Sequence, residues 1–283
     1  MPVVPNRRPL RANALIRSPR VCTMAPDLQL ALEAVDLADR VTLSAFRRPS
    51  LAVETKADHS PGTEADRAAE AAIRQLIYRE RPADAVVGEE MGTTSGGARR
   101  WVIDPIDGTV NFVRGLPVWA TLVALEVDGT VHVGVVSAPA LGRRWWAQRG
   151  QGAFAGPIGQ PGERINVSGV ANLADAGIST GCVHHFDDPQ RWVDLASRVN
   201  HDRGFGDFWQ HMLVAEGALE AALDPVDSLW DNAALQVIVE EAGGKFTDFS
   251  GAARIDGGSA VSSNGLVHDA VIAVLSGTAR TER

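Results

Sequence analysis

The stretch Trp101-Val-Ile-Asp-Pro-Ile-Asp-Gly-Thr-Val-Asn-Phe112 decides how the rest of the chain is read. Trp101-Val102-Ile103 is a short apolar run of the kind that forms a buried strand, and Asp104 follows it directly, so the strand delivers a carboxylate at its end. Pro105 lacks an N–H and restricts the chain direction, which turns Asp107 toward the side that Asp104 faces. Gly108 permits close backbone approach, and the N–H groups beyond it are available to an anionic oxygen. An Asp-Pro or Asp-Gly pair taken alone is a turn. Two carboxylates at one strand end go further, because oxygen-rich, sulfur-free ligation is what a hard cation such as Mg2+ prefers.

The flanking sequence alternates helices and strands. Leu28, Ala31, Leu32, Val35, Ala38, Val41 and Ala45 step by three or four, which predicts an amphipathic helix from Asp27 to near Phe46, before Pro49. An extended piece over Leu51 to Thr55 and a turn at Pro61-Gly62 lead to Thr63. That residue caps a second helix running to Arg81-Pro82. Val86-Val87 is a further short strand that stops near acidic residues. Beyond the opening stretch, Ala120 to Val127 and Val131 to Ser137 flank Asp128-Gly129, a hairpin turn. Trp145 to Ala147 and Ala153-Phe154 continue the β-rich region. The clearest late helix is Leu229 to Ala242, with Ala233, Ala234, Val237, Ile238 and Ala242 in helical spacing and Gly243-Gly244 closing it. Without internal repeats or a long linker, the pattern is a mixed, layered α/β protein.

Charge narrows the function. The net charge is −8, yet residues 1–23 carry five arginines and no acidic residue, so the rest has 22 basic against 35 acidic residues, a net charge of −13. Such a body is a poor nucleic-acid binder and would repel a phosphate ester unless cations intervened. Two Mg2+ ions against four carboxylates and a phosphate dianion resolve that conflict. No window reaches the roughly 18–20 apolar residues needed to span a bilayer, so no membrane partner is expected. Two isolated cysteines, Cys22 and Cys182, make neither a disulfide framework nor a zinc site, and a cytoplasmic location is the default. Residues 1–23 read as a basic Pro/Arg-rich extension, disordered or upstream of a true start at Met24. Residues 24–283 form a single catalytic domain, with a metal-binding half to about residue 150 and a substrate-determining half after it.

Three motifs in order make the reading specific: Gly88-Glu89-Glu90, then Trp101 to Phe112, then Trp230-Asp231-Asn-Ala-Ala followed by Glu241-Ala-Gly-Gly244. Together they resemble the inositol monophosphatase family over residues 24–275. The resemblance implies an α/β/α/β/α sandwich, usually a homodimer, acting as a Mg2+-dependent phosphatase with two or three ions per subunit and family-type lithium sensitivity. It assigns Glu89, Asp104, the Ile106 carbonyl, Asp107 and Asp231 as metal ligands. It pairs Thr109 with Asp66 of Thr63-Glu-Ala-Asp66 to orient and deprotonate the attacking water, with Glu90 supporting from outside the ligand set. The run at 104–109 also resembles the Asp-x-Asp-Gly-Thr nucleophile motif of haloacid-dehalogenase-type phosphatases. Pro105 stands where that motif needs its first aspartate, so a phospho-aspartate route is disfavoured. Val110 and Gly62 depart from the family, where lysine or threonine and valine are common.

Within the family the chain resembles the actinobacterial histidinol-phosphatase branch, through Asn111 to Ala120, Ser137 to Leu141 with Arg143 to Ala147, and Gly206-Asp-Phe208 before Leu213 to Gly217. Histidinol phosphate carries an ammonium and an imidazole, so its pocket needs carboxylates and flat apolar surface. Asp207 and Asp224 are candidate carboxylates. Phe208 and Trp209 are candidate ring partners, although both residue types are more often core, and Arg203 is a group for the phosphate or a neighbouring subunit. Glu89, Gly108, Thr109 and Asp231 complete the expected substrate contacts. His184-His185 reads as a loop pair near the mouth and not as a metal site. Alternatives are an inositol-1-phosphate phosphatase, a fructose-1,6-bisphosphatase, or, in another class, a regulatory partner in a transcription complex.

Overall fold

A computed structural model describes residues 25–56 and 61–277. The extension at 1–23, Cys22 and Met24 lie outside the described residues. The chain runs α1 (Pro26–Ala45), β1 (Val53–Thr55), β2 (Pro61–Thr63), α2 (Glu64–Glu80), β3 (Ala85–Gly88), β4 (Gly92–Thr93), β5 (Arg99–Asp107), α3 (Thr109–Val113), β6 (Ala120–Val127), β7 (Thr130–Ala138), β8 (Arg143–Gln148), β9 (Gly152–Pro157) and β10 (Glu163–Ile165). It continues with β11 (Gly177–Thr180), α4 (Pro189–Ala196), β12 (His201–Arg203), α5 (Asp207–Ala215), β13 (Ala221–Asp224), α6 (Leu229–Glu241), β14 (Lys245–Thr247), β15 (Ala260–Ser263) and α7 (His268–Leu275).

Two sheets organise these elements. The larger runs β10-β9-β8-β7-β6-β5-β3-β4, and only its β3–β5 pair is parallel. The smaller runs β12-β11-β13-β15-β14. Strand alternation explains the layering. Trp101, Ile103, Val123 and Val135 face α1 and α2, burying Ala31, Ala34, Val35, Ile73 and Ile77. Their neighbours Val102, Leu122 and Val136 face the other way, onto Phe208, Met212, Ala234 and Val237 of α5 and α6. The far face of the small sheet buries Ile178, Leu223 and Val261 against Trp192, Leu195, Val271 and Val274 of α4 and α7. The outcome is the expected α/β/α/β/α sandwich. Among the described residues, no helix is long and apolar enough to cross a membrane.

Local signals match the elements they predict. Asp128 and Gly129 both have positive φ (50° and 77°), as a two-residue hairpin turn with right-handed strand twist requires. Thr63 caps α2 with a reciprocal box in which the Asp66 carboxylate accepts the Thr63 N–H. Helix α6 departs from its one-faced periodic reading. Leu235 and Val239 are buried as well, because the helix lies between the two sheets and is apolar on most sides. Gly134 marks the tightest crossing: a Cβ there would sit 2.5 Å from Val237 Cγ1 and 2.7 Å from the Ala234 carbonyl of α6. Gly134→Ala is therefore expected to destabilise the protein by about 1–3 kcal/mol. A lowered urea midpoint at unchanged slope is the measurement.

Candidate active site

The pairing of β5 with β6 slips between Asp104 and Asp107, so Pro105 and Ile106 oppose the single residue Thr121. In a regular strand, residues three apart point to opposite faces. The extra residue of a bulge reverses that parity and brings both aspartates to one side. Pro105 suits the slip because it has no N–H for the ladder, and its carbonyl accepts the Thr121 hydroxyl at 2.8 Å. Asp104 continues the phase of Val102 and so faces α6. Asp231, third residue of that helix, meets it there, with its Oδ2 accepting the Ser228 N–H at 2.7 Å. Asp104, Asp107 and Asp231 each place an oxygen within 4.8 Å of the others.

Three carboxylates so close, Asp104 buried and Asp107 and Asp231 half-buried, repel one another. Burial and the neighbouring carboxylates push the Asp104 and Asp107 acids well above the ordinary 3.8, and burial with Glu89 and Asp224 takes Asp231 to about 6. Asp104 is 2 % exposed and its Oδ1 accepts no hydrogen bond. An all-oxygen donor set with an orphaned buried anion fits a hard divalent cation. A sign follows for stability. Acids near 3.8 when unfolded and about 6 to 7 when folded (Asp66, Asp231, Asp207) hold more protons in the native state over that window. Metal-free protein should therefore lose stability as pH rises from about 4 through 7. Thermal unfolding in chelator at pH 5 and pH 8, with magnesium restoring the loss at pH 8, is the check.

Glu89 follows β3, the parallel neighbour of β5, and its N–H donates to the Ile103 carbonyl at 3.3 Å. Its carboxylate carries a cation already: Lys56 Nζ lies 2.6 Å from Glu89 Oε1 and also pairs with Glu90. Burial works against the Lys56 charge, but the two glutamates overcome it and hold the ammonium above its usual range. A Cβ on Gly62 would fall 2.7 Å from Lys56 Cε, so glycine where relatives carry valine leaves room for this lysine. The Glu90 N–H donates to the buried Glu70 carboxylate at 2.8 Å, which Arg74 neutralises. Glu90 thus shares Lys56 with Glu89 while its own N–H is tied to Glu70.

The expected Thr109–Asp66 hydrogen bond is absent from the structure. Thr109 donates its hydroxyl to the Ile106 carbonyl at 2.9 Å, inside the tight turn that follows the bulge. The Asp66 Oδ2 accepts the Thr63 N–H at 2.8 Å and the Thr63 hydroxyl at 2.5 Å, which is the α2 cap. Local capping has taken one oxygen of Asp66. Its Oδ1 stays buried without a partner, and burial first, with Glu90 and Glu89, raises the acid to about 6. Gly108 adopts φ 80°, and a Cβ there would press on the Val118 carbonyl at 3.0 Å and on Asp207 Oδ2 at 3.3 Å.

A cavity of about 500 Å³ opens from the acidic cluster and is lined by Asp107, Asp207, Asp224, Asp227 and Asp231, with no lysine or arginine among the described residues. Asp207 holds φ 49°, uncommon for a residue with a side chain, and Asn111 donates to its Oδ2 at 2.9 Å. The next N–H, of Phe208, donates to Asp107 Oδ2 at 2.6 Å. Asp224, at the end of β13, accepts from Gln210 Nε2 at 2.7 Å and lies 2.8 Å from His211 Nε2. Arg203 lies on the exposed edge strand β12, where it donates to the Asp202 carbonyl, and it does not line the cavity, so the structure does not bring it to the phosphate. The Phe208 ring takes the core alternative, fully buried against Trp145, while Phe205, which packs on Trp209, lines the cavity. His185 and Cys182 line the cavity, and His184 does not. Asp227 and Lys56 were missed. Asp227 follows Asp224 by three residues, a spacing that signals nothing until the loop before α6 folds back on the cavity, and its Oδ2 is buried without a partner.

Known proteins resemble this chain in sequence and in fold. Residues 24–278 match the inositol monophosphatase family. The histidinol-phosphatase of Mycobacterium tuberculosis is 50% identical over 250 residues, covering 87% of this chain and 96% of its own. That of Streptomyces coelicolor is 47% identical over 256 residues, covering 88% and 96%. Among solved structures, the IMPase of Thermotoga maritima superposes with a TM-score of 0.81 at 34% identity, covering 90% of this chain and 98% of that one. Magnesium dependence is general in the family, and the acidic cluster suits it. The chain belongs to the inositol monophosphatase family and is a phosphoric monoester hydrolase.

Proposed function

We propose that the protein hydrolyses L-histidinol phosphate to L-histidinol and phosphate. The observation that carries this reading is the cavity lining: five aspartates and, among the described residues, no lysine or arginine. A substrate with an ammonium and an imidazole fits such a wall, whereas the second phosphate of fructose 1,6-bisphosphate would meet only negative charge. A neutral polyol such as inositol would forgo the charge complementarity. The identity to two histidinol-phosphatases supports the same choice.

In this reading Glu89, Asp104, the Ile106 carbonyl, Asp107 and Asp231 hold two or three magnesium ions. Bound magnesium supplies positive charge for the phosphoryl oxygens and the leaving alkoxide. The protein's own groups position the rest. Lys56 pairs with Glu89 and Glu90, and Glu89 would have to leave that pair to serve as a metal ligand. Gly108 and Thr109 offer backbone N–H groups to the phosphate. Asp66 Oδ1, buried and unpaired, is the base for the attacking water, and Thr109 reaches it by turning its hydroxyl away from the Ile106 carbonyl; α3 packs against β2, next to that carboxylate. Asp224 and Asp227 take the substrate's ammonium, Asp207 the imidazole N–H, and Phe205 the ring face. Residues before about 150 thus supply most metal ligands and the phosphate contacts, and residues after it supply Asp231 and the contacts to the substrate's ammonium and imidazole.

The proposal includes a cytoplasmic homodimer, with Arg203 on the free edge of the small sheet left for the neighbouring subunit. The reading as a regulatory partner rests on residues 1–23, outside the described residues. The test is phosphate release with magnesium from histidinol phosphate, inositol 1-phosphate and fructose 1,6-bisphosphate. A preference of about 10²-fold in kcat/KM for histidinol phosphate is expected, worth about 2.7 kcal/mol. Faster turnover of inositol 1-phosphate would overturn the substrate.

A further inference from the structure

At the mouth of the same cavity stands a second donor set of different chemistry. Cys182, His184 and His185 each place a ligand atom within 4.8 Å of the others. The short 3-10 turn Val183–His185 brings them together, closed by the His185 N–H donating to the Cys182 carbonyl at 3.2 Å. Three donors within four residues need no long loop to be fixed, so little chain entropy opposes their convergence. The Cys182 sulfur lies 3.6 Å from the ring nitrogens of His184. A tetrahedral zinc ion, with Zn–S about 2.3 Å and Zn–N about 2.0 Å, sets its sulfur and nitrogen ligands about 3.6 Å apart. The two imidazoles already touch edge to face, centroids 4.5 Å apart.

The surroundings favour a cation. Asp207 and Asp224 act on the Cys182 thiol strongly enough to raise it after burial has done so. Without a metal the thiol therefore keeps its proton, and binding releases that proton to solvent as the sulfur becomes a thiolate ligand. Cys182 and His185 both line the cavity that leads to Asp107 and Asp231. An ion held there narrows the approach to that cluster, on which the phosphatase reading depends, and a substrate's imidazole would be a ready fourth ligand. Thiolate and imidazole select ions of the zinc class, while the all-oxygen cluster within selects magnesium.

We propose that Cys182, His184 and His185 form a binding site for a thiophilic divalent cation, which occupies the cavity mouth and inhibits the enzyme. The spectroscopic arm uses the full-length protein, with magnesium saturating the oxygen cluster, titrated with Co2+. A near-ultraviolet thiolate-to-cobalt charge-transfer band saturating at one equivalent is expected, lost in Cys182→Ser and weakened at least tenfold in affinity in His184→Ala. The kinetic arm follows zinc inhibition of magnesium-supported phosphate release, each variant normalised to its own zinc-free rate. The half-inhibiting zinc concentration should rise at least tenfold in Cys182→Ser and His184→Ala. Absence of the band in the unaltered protein, or equal zinc sensitivity in Cys182→Ser, overturns the proposal, the second outcome placing zinc in the oxygen cluster. Because the cobalt arm needs no substrate, its result stands apart from whether histidinol phosphate is the ester.

Discussion

Asp104→Asn is expected to lower phosphate release by at least about 10³-fold, a loss near 4 kcal/mol of transition-state stabilisation, while leaving the fold intact. Asp104 sits where Glu89, Asp107 and Asp231 converge, so it is the carboxylate best placed to face more than one ion. Asparagine keeps its size and removes one charge. In metal-free protein that charge is a liability, since its neighbours repel it and burial opposes it. The variant should therefore melt at or above the metal-free parent, while its gain on adding magnesium shrinks. Thermal unfolding with and without magnesium, run beside the assay, separates lost metal binding from lost folding. Activity within tenfold of the parent, or an unchanged magnesium response, would contradict the ligand assignment.

Asp224→Asn is expected to reduce kcat/KM for histidinol phosphate by about 10²-fold and for an uncharged ester such as glycerol 2-phosphate by less than about threefold, the contrast of one desolvated charge pair. Gln210 and His211 approach Asp224 through one oxygen, Oδ2, and leave the other to the cavity. Asparagine can still present a carbonyl oxygen to that pair, so the loop should hold. Asp227→Asn should show the same contrast, and the double variant should lose less than the sum, because both carboxylates would serve one ammonium. Equal losses on both esters would instead tie Asp224 to the metal cluster.

Much of this site was legible before any coordinates. The strand carrying Asp104, though it runs on to Asp107, the capping box of Thr63 and Asp66, the hairpin at Asp128-Gly129 and the helix starting beside Asp231 are all written in spans of about ten residues, where side-chain period and turn chemistry suffice. The motif order then implied the family and its five-layered sandwich. Other features depend on which layers meet. The β5 bulge, suggested by Pro105, became definite only through pairing with Thr121. Asp227 and Lys56 join the site through loops whose approach no local pattern encodes. Arg203 was lost to an exposed sheet edge, Phe208 to the core beneath Trp145, and the Thr109 hydroxyl to a nearer carbonyl. Local sequence sets which groups a strand or helix presents. Which of them face each other is settled when two sheets and three helix layers bury their apolar faces together, because that packing fixes distances that no spacing along the chain contains.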